Sequence, residues 1–406
     1  MSPVEGDQLE ANLLLLRDKQ SNTTVLFVSV DCLYPGPRLR SALENSLSDL
    51  IDSDSIFLAG SHTHAAPNLD PTKPKLGYVV ESHVTEVSNL IAKRAKALLT
   101  TGDYQEVVQR NKRFQPSGVI TRRKIVPVTL RDFRLRFFES EFLPNPKRSP
   151  VVYSEIVEFV GKKGVVGAIW IMPCHPLTSP SAEKPSADYV GDVRLHYREN
   201  NPPKDKPPSM VFLQGASGDL RPAAFGLREW ISARNVAINL LVGPTFRRFT
   251  GAECESWLAA LLADFVSAEV IAAKELAVPR VVLSKLDSRR ELFPLSHFYH
   301  SVQDGRQISL HRVRIGSFVI LGVSAEPTWE FRQNIISQIT GEFDAGSLVG
   351  CIDDTFGYLV SEKEEKYGGY EVRGFMRHFS VEQRPQKNTD ESIRRRISRF
   401  LSRTQS

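Results

Sequence analysis

The chain has 406 residues, with 52 Lys+Arg against 47 Asp+Glu, a formal net charge of +5, and 41% apolar and 24% charged residues. These are the proportions of an ordinary globular protein, and the length can bury a large core, which excludes a fold that needs stapling. Cys32, Cys174, Cys254 and Cys351 are far apart and form no CxxC pair, so neither a disulfide scaffold nor a thiolate zinc site is expected, and a reducing compartment is. The N-terminal MSPVEGDQLEANLLLLRDKQ lacks a basic leader and a small-residue cleavage site, and no apolar run approaches the roughly 20 residues that cross a bilayer. A cytoplasmic protein without a membrane partner is expected. The positive excess is spread through the chain, which argues against a nucleic-acid partner.

Thr24–Asp31 (TVLFVSVD) reads as a buried strand, Arg38–Ile51 as a helix and Ser55–Gly60 (SIFLAG) as a second strand, a βαβ-like opening. A long helix is predicted over Tyr78–Leu99, with Val79, Val87, Leu90, Ile91 and Leu98 near one face. Alternating stretches such as RLRFFES and VVYSEIVEFV between Glu106 and Val160 predict antiparallel strands, and Val165–Met172 and Met210–Leu213 central ones. Glu253–Leu276 reads as a helix, Arg280–Leu292 and Gln307–Leu321 as strands, Thr328–Ile339 as a helix and Ser347–Ile352 as a strand. Pro144–Pro150 and Asn201–Pro208 are surface loops too short for domain linkers. At the C-terminus, Ile393, Ile397, Phe400 and Leu401 form the stripe of an amphipathic helix over about 389–403, capped by Asn388 or Thr389. The fold class is α/β, one large domain over 1–406 with mixed sheets flanked by helices.

Four apolar strands each release a polar, potentially ligating group at one end. SIFLAG runs into SHTHAAP, where His62 and His64, two apart on an extended chain, face the same side. VVGAIWIMP runs into CHPLTSP with His175, MVFLQ into GASGDLRP with Asp219, and FVILGVSAEP delivers Glu326. Taken singly, each has a bland reading as a hydrogen-bonded strand-end group, and Asp219 could orient an imidazole or fix its loop. Together, neutral imidazoles and a carboxylate suit zinc, which in catalytic sites keeps one position open for water. Cys174, adjacent to His175, points to the opposite face and is expected in the core.

The order and wording of these motifs resemble the N-terminal catalytic domain of the neutral (non-lysosomal) ceramidase family. The similarity spans about Asp31 to Glu371: SHTHAAP resembles the family's THTHSGP, CHPLTSP and SADYVGD its histidine motif and following SGD, and QGASGDLRP its QxxxGDxSP turn. SAEPTWEF resembles PGEFT, and GYLVSEKEEKYGGYE resembles HYxTxxEEYxxQRYE. The resemblance implies one zinc ion held by His62, His175, Glu326 and Tyr358. Tyr358 and Tyr370 stand twelve apart, as the family tyrosines do; from the residues alone Tyr358 would be an ordinary strand tyrosine. It further implies that His64 exchanges protons beside the metal and that Arg113, or almost equally Arg110, stabilises the reacting carbonyl, with Tyr370 at the substrate. Arg221 stands where the family has its active-site serine, and its fixed charge could clamp a carboxylate or phosphate. The family's C-terminal immunoglobulin-like domain has no counterpart within this length.

The expectation is a zinc-dependent amidohydrolase that uses metal-activated water on a small, soluble, anionic amide rather than ceramide. Two alternatives stand beside it: zinc-dependent acyl transfer or amide formation in biosynthesis, and a non-catalytic, metal-stabilised binding module. TRRKIV and RRRISRFLSR would support nucleic-acid binding, but they lack a recognised framework. The expected partner is a small-molecule substrate; the oligomeric state is left open.

Overall fold

The computed structural model describes residues 9–18, 20–101, 104–131, 134–181, 184–202, 207–228, 232, 235–236, 240, 242–270, 286–295, 305–341, 345–379 and 389–402. The chain opens with β1 (Ala11–Arg17) antiparallel to β2 (Thr24–Val30); α1 (Gly36–Leu47) then leads to β3 (Ile56–Gly60), parallel to β2. β1 has no counterpart among the expected elements. Its leucines alternate between buried (Leu14, Leu16) and half-buried (Leu13, Leu15), a period of two concealed in an unbroken apolar run.

The α2 helix (Glu81–Thr101) joins α1 over this sheet. Its buried stripe is Val84, Ser88, Ile91, Ala92 and Ala95, whereas Leu90 and Leu98 are exposed. The small residues define the contact face, and the two leucines expected on it lie beside that stripe.

Next come β4 (Val107–Phe114), β5 (Val119–Thr121), β6 (Arg123–Arg131), β7 (Arg134–Phe142), β8 (Ser154–Gly161), β9 (Gly164–Met172), α3 (Tyr189–Asn200), β10 (Ser209–Gln214), β11 (Leu220–Pro222), β12 (Phe225–Gly226), β13 (Thr245–Phe246), α4 (Gly251–Val266) and β14 (Glu269–Val270). A five-stranded mixed sheet has the order β10-β9-β8-β4-β14, with β10 and β9 parallel; β6 and β7 form their own hairpin, and β11 pairs with β5. The predicted helix Glu253–Leu276 stops at Val266, ten residues early, because Ser267 caps it and β14 follows. Residues 271–285, including the start of the predicted strand Arg280–Leu292, lie outside the described residues.

The last part holds β15 (Leu286–Pro294), β16 (Gln307–Ile315), β17 (Phe318–Val323), β18 (Glu326–Pro327), α5 (Trp329–Thr340), β19 (Ala345–Val349), β20 (Tyr358–Leu359), α6 (Glu362–Tyr367) and α7 (Thr389–Ser402). Gln307–Leu321, expected as one strand, is a hairpin that turns at Gly316, whose φ of +57° favours glycine. The α7 helix buries Ile393, Ile397 and Phe400, as its stripe requires; Asn388 and Arg403 lie outside the described residues. Among the described residues no helix is long and apolar enough to cross a membrane.

Besides the apolar cluster under α1 and α2, two larger clusters hold the sheets together. Trp170, Phe212 and Tyr189 belong to one cluster, and Phe27, Phe57, Ile171, Leu213 and Ile320 to another. The consequence for function is at the strand ends. Gly60 N donates to Cys351 O (2.9 Å), Gly350 N to Gln214 O (2.8 Å) and Gly215 N to Met172 O (3.0 Å). These bonds link the C-terminal ends of β3, β19, β10 and β9, so the loops that leave them lie side by side at one edge of the sheets, the usual place for a site in an α/β fold.

Candidate active site

His62 follows β3 in a left-handed backbone conformation, φ +66°, which costs a non-glycine residue about 1–3 kcal/mol and persists only where its surroundings dictate it. They do so here: its N–H donates to Cys32 O at 2.9 Å, and its Nδ1 lies 3.3 Å from Leu33 O. The convergence of His62 and His64 therefore comes from a strained turn rather than from strand alternation. Their rings are 5.1 Å apart, and His175 lies 4.9 Å from His62 and 5.9 Å from His64.

His175 is anchored in the same manner: its backbone N–H and its Nδ1 both meet Leu220 O, at 3.1 and 2.9 Å. A carbonyl can only accept, so the Nδ1 of each anchored ring carries the proton and Nε2 presents a lone pair. The Nε2 atoms of His62 and His175 each lie 3.3 Å from Glu326 Oε2. His62 Nε2 and Glu326 Oε2 are buried with no hydrogen-bond partner, an arrangement that costs stability unless something is held between them. Ligand atoms of His62, His64 and His175 all fall within 4.8 Å of one another. This cluster could hold a metal ion, and its nitrogen and carboxylate donors fit zinc chemistry.

Electrostatics agree with the geometry. Burial alone would raise the Glu326 carboxyl; a positive charge on His62 and His175 facing it pulls it well below the ordinary carboxylate range, so this carboxylate is one that a cation between the three groups would stabilise. Burial, then the Arg122 charge, brings His175 down to about 4. His64 is exposed at its surface, yet desolvation by the protein packed around its ring and then the His62 and His175 imidazoles push its pKa well down. Neutral imidazoles are the form that ligates.

Tyr358 is brought to this cluster by backbone pairing, since β20 runs parallel to β18 with Tyr358 opposite Glu326. Its phenol is pushed well above its ordinary range by burial and then by Glu326, against the pull of Arg122. Tyr370 lies 5.7 Å from Tyr358, ring to ring. Arg221 reaches the edge of the same region, 4.3 Å over the Phe246 ring and 5.7 Å from Phe142. Asp219 fixes the loop: its carboxylate accepts from Trp329 N at the start of α5 (2.9 Å) and from Thr121 Oγ1 (3.0 Å). Cys174 is buried in the core.

Neither arginine expected at the reacting carbonyl joins this cluster. Arg113 bonds Glu155 at 3.3 Å and lies over the Tyr153 ring, while Arg110 bonds Glu158 at 2.8 Å. Both sit on β4, whose cross-strand partner β8 supplies those carboxylates. The arginine in the cluster is Arg122, with Nη1 3.5 Å from His175 Nε2, Nη2 donating to Tyr358 Oη at 3.1 Å and to Gly218 O at 2.6 Å, and Nε to Glu371 at 2.7 Å. Arg122 belongs to TRRKIV, the segment weighed above for nucleic-acid contact; its guanidinium, like that of Arg123, faces inward to Glu371. Tyr34, also missed, donates its hydroxyl to Glu326 Oε1. Neither residue lies in a spacing that sequence alone would single out.

A comparison with protein-family models finds no match, and neither does a comparison with curated proteins. Solved structures are a different matter. The chain superposes on the crystal structure of neutral ceramidase from Pseudomonas aeruginosa with a TM-score of 0.67, at 13% identity, over 99% of this chain and 74% of that one. Its fold is that of the neutral ceramidases. A second structure, ceramidase complexed with C2, matches with a TM-score of 0.66 and 13% identity over 98% of this chain and 73% of the other. The neutral-ceramidase-like fold thus extends over almost the whole chain, at an overall identity of 13%.

Proposed function

We propose that this protein is a divergent member of the neutral ceramidase family, a single zinc-dependent catalytic domain that hydrolyses the amide C–N bond of a small soluble molecule. The observation that carries the reading is the pair of buried, unpartnered donor atoms, His62 Nε2 and Glu326 Oε2, with His175 Nε2 equally close to the carboxylate. His62, His175 and Glu326 would hold the ion, with Tyr358 beside them; when bound, zinc supplies Lewis-acid activation of water and carbonyl.

The remaining chemistry belongs to the chain's own groups. An imidazole nitrogen of His64, open to solvent, accepts a proton during attack and returns it to the leaving amine. Arg122, fixed by Glu371 and Gly218 O, directs positive charge to where negative charge develops on the carbonyl oxygen. Tyr370 borders the substrate.

The test combines elemental analysis with product analysis on a panel of N-acyl compounds. Wild-type protein should carry one zinc per chain and release free acid and amine; the His62→Ala, His175→Ala double variant should lose both. Stoichiometric zinc in the double variant, or an acyl-transfer product in place of free acid, would overturn the reading.

A further inference from the structure

Two arginines flank one aromatic ring beside the histidine cluster, and only one of them has its charge answered. The guanidinium carbons of Arg122 and Arg221 lie 4.9 and 5.7 Å from the centre of Phe142. Arg122 is ion-paired with Glu371. Arg221 has no carboxylate partner among the described residues, and its Nε is buried without a hydrogen-bond acceptor. A largely buried cation left in that state is costly unless a ligand brings the counter-charge. Burial and then the Arg122 charge lower the Arg221 pKa to about 10, which marks the position as short of negative charge.

Geometry also tells what kind of anion fits. The guanidinium carbon of Arg221 sits 4.3 Å over the Phe246 ring, an aromatic support for the cation, and a guanidinium recognises carboxylate and phosphate by a two-pronged contact. Phe142 touches Phe246 and Tyr370, each ring 5.7 Å away, so the walls of this subsite are aromatic and suit a compact apolar group. Neighbouring residues tie Arg221 to the histidine cluster. Leu220, whose carbonyl anchors His175, immediately precedes Arg221, and Arg122 reaches both Phe142 and His175.

We propose that Arg221, between Phe142 and Phe246, is the anchor for an oxyanion of the substrate, a carboxylate or phosphate placed a few bonds from the scissile amide. This inference rests on the amide-hydrolase reading and narrows it to acidic amides with an aromatic or short apolar portion. A neutral lipid amide would leave the Arg221 charge unanswered.

The test uses the full chain as wild type, Arg221→Gln and Arg221→Lys, with thermal melts to verify folding. In one arm, calorimetry measures binding of benzoate and of inorganic phosphate to chelator-treated protein, the tighter of the two identifying the anion. Arg221→Gln should lose roughly tenfold to a hundredfold in affinity, the size of a lost charge-assisted pair, and Arg221→Lys should recover part of it. In the other arm, zinc-loaded protein is given N-benzoylglycine and its neutral amide; the preference of wild type for the acid should vanish in Arg221→Gln through KM. Equal anion affinity in wild type and Arg221→Gln, or no anion binding by wild type, would overturn the proposal. If neither amide is cleaved while Arg221-dependent anion binding persists, the hydrolase reading fails and the anion site stands. If both amides are cleaved equally and no anion binds, the reverse holds.

Discussion

The hydroxyl of Tyr34 donates to Glu326 Oε1 across 292 residues of sequence, leaving Oε2 to face the two histidine Nε2 atoms. Tyr34 is itself held within the cluster, its ring 5.3 Å from that of His62. Groups that orient a metal-binding carboxylate in this way commonly control affinity by about 10- to 100-fold. Tyr34→Phe should therefore weaken zinc by that factor in a competitive chelator titration, with the ligands themselves intact. Unchanged affinity would show that Glu326 is oriented by its backbone alone.

Zinc should also act on the fold. On the zinc reading proposed above, an ion at this site would bind the native chain and not the unfolded one, so zinc at about 100 times Kd should add about 2.7 kcal/mol of stability. Thermal melts with and without chelator would display this as a reversible rise in Tm. The rise should disappear in His175→Ala, whose imidazole is anchored by Leu220 O; a shift that survives would place the ion elsewhere.

Gly218 is a steric sensor for the same site. A Cβ there would come within 2.8 Å of Glu326 O and 3.0 Å of Pro327 O, and the Gly218 carbonyl accepts from Arg122. Gly218→Ala must push β18 away or move the turn, so it should destabilise the protein by about 1–3 kcal/mol. It should weaken zinc binding at the same time. Denaturant unfolding and the chelator titration read the two effects separately.

Glu365 provides a pH-dependent contribution remote from the cluster. Burial, then Asp390 and Glu362, raise its carboxyl from 4.5 to about 7, and its Oε1 is buried without a partner. The folded state therefore holds this proton more tightly than the unfolded chain does. The stabilisation is full below about pH 4.5 and is lost as pH rises through about 7. Glu365→Gln should raise stability at pH 8 by on the order of 1 kcal/mol, allowing for solvent screening of a half-exposed group, and change little at pH 4. Melts of both proteins across that range would check the sign.

The order of elements and the strand-end positions of His62, His175 and Glu326 were legible in the sequence because they depend on local signals. An apolar run ends, and the next polar residue must lie at the edge of the sheet. The α7 helix was legible for the same reason, its stripe repeating at helical spacing. Where a local signal is absent or mixed, sequence and structure part: the leucine run of β1 conceals its period of two, the Ala- and Leu-rich pattern of α4 continues past the cap at Ser267, and the turn at Gly316 interrupts an unbroken strand pattern.

The site arginine shows the limit most clearly. Arg110, Arg113 and Arg122 are equivalent as letters, and β4 presents the first two to Glu158 and Glu155, while the turn between β5 and β6 presents the third to His175 and Tyr358. The sequence by itself determined which groups could carry the chemistry, because residue type and strand-end placement are local. Tertiary structure alone decided which of them meet. The left-handed turn at His62, the Tyr34 bond to Glu326 and the unanswered charge of Arg221 all depend on contacts between segments far apart in the chain, and pairwise packing of that kind leaves no periodic trace.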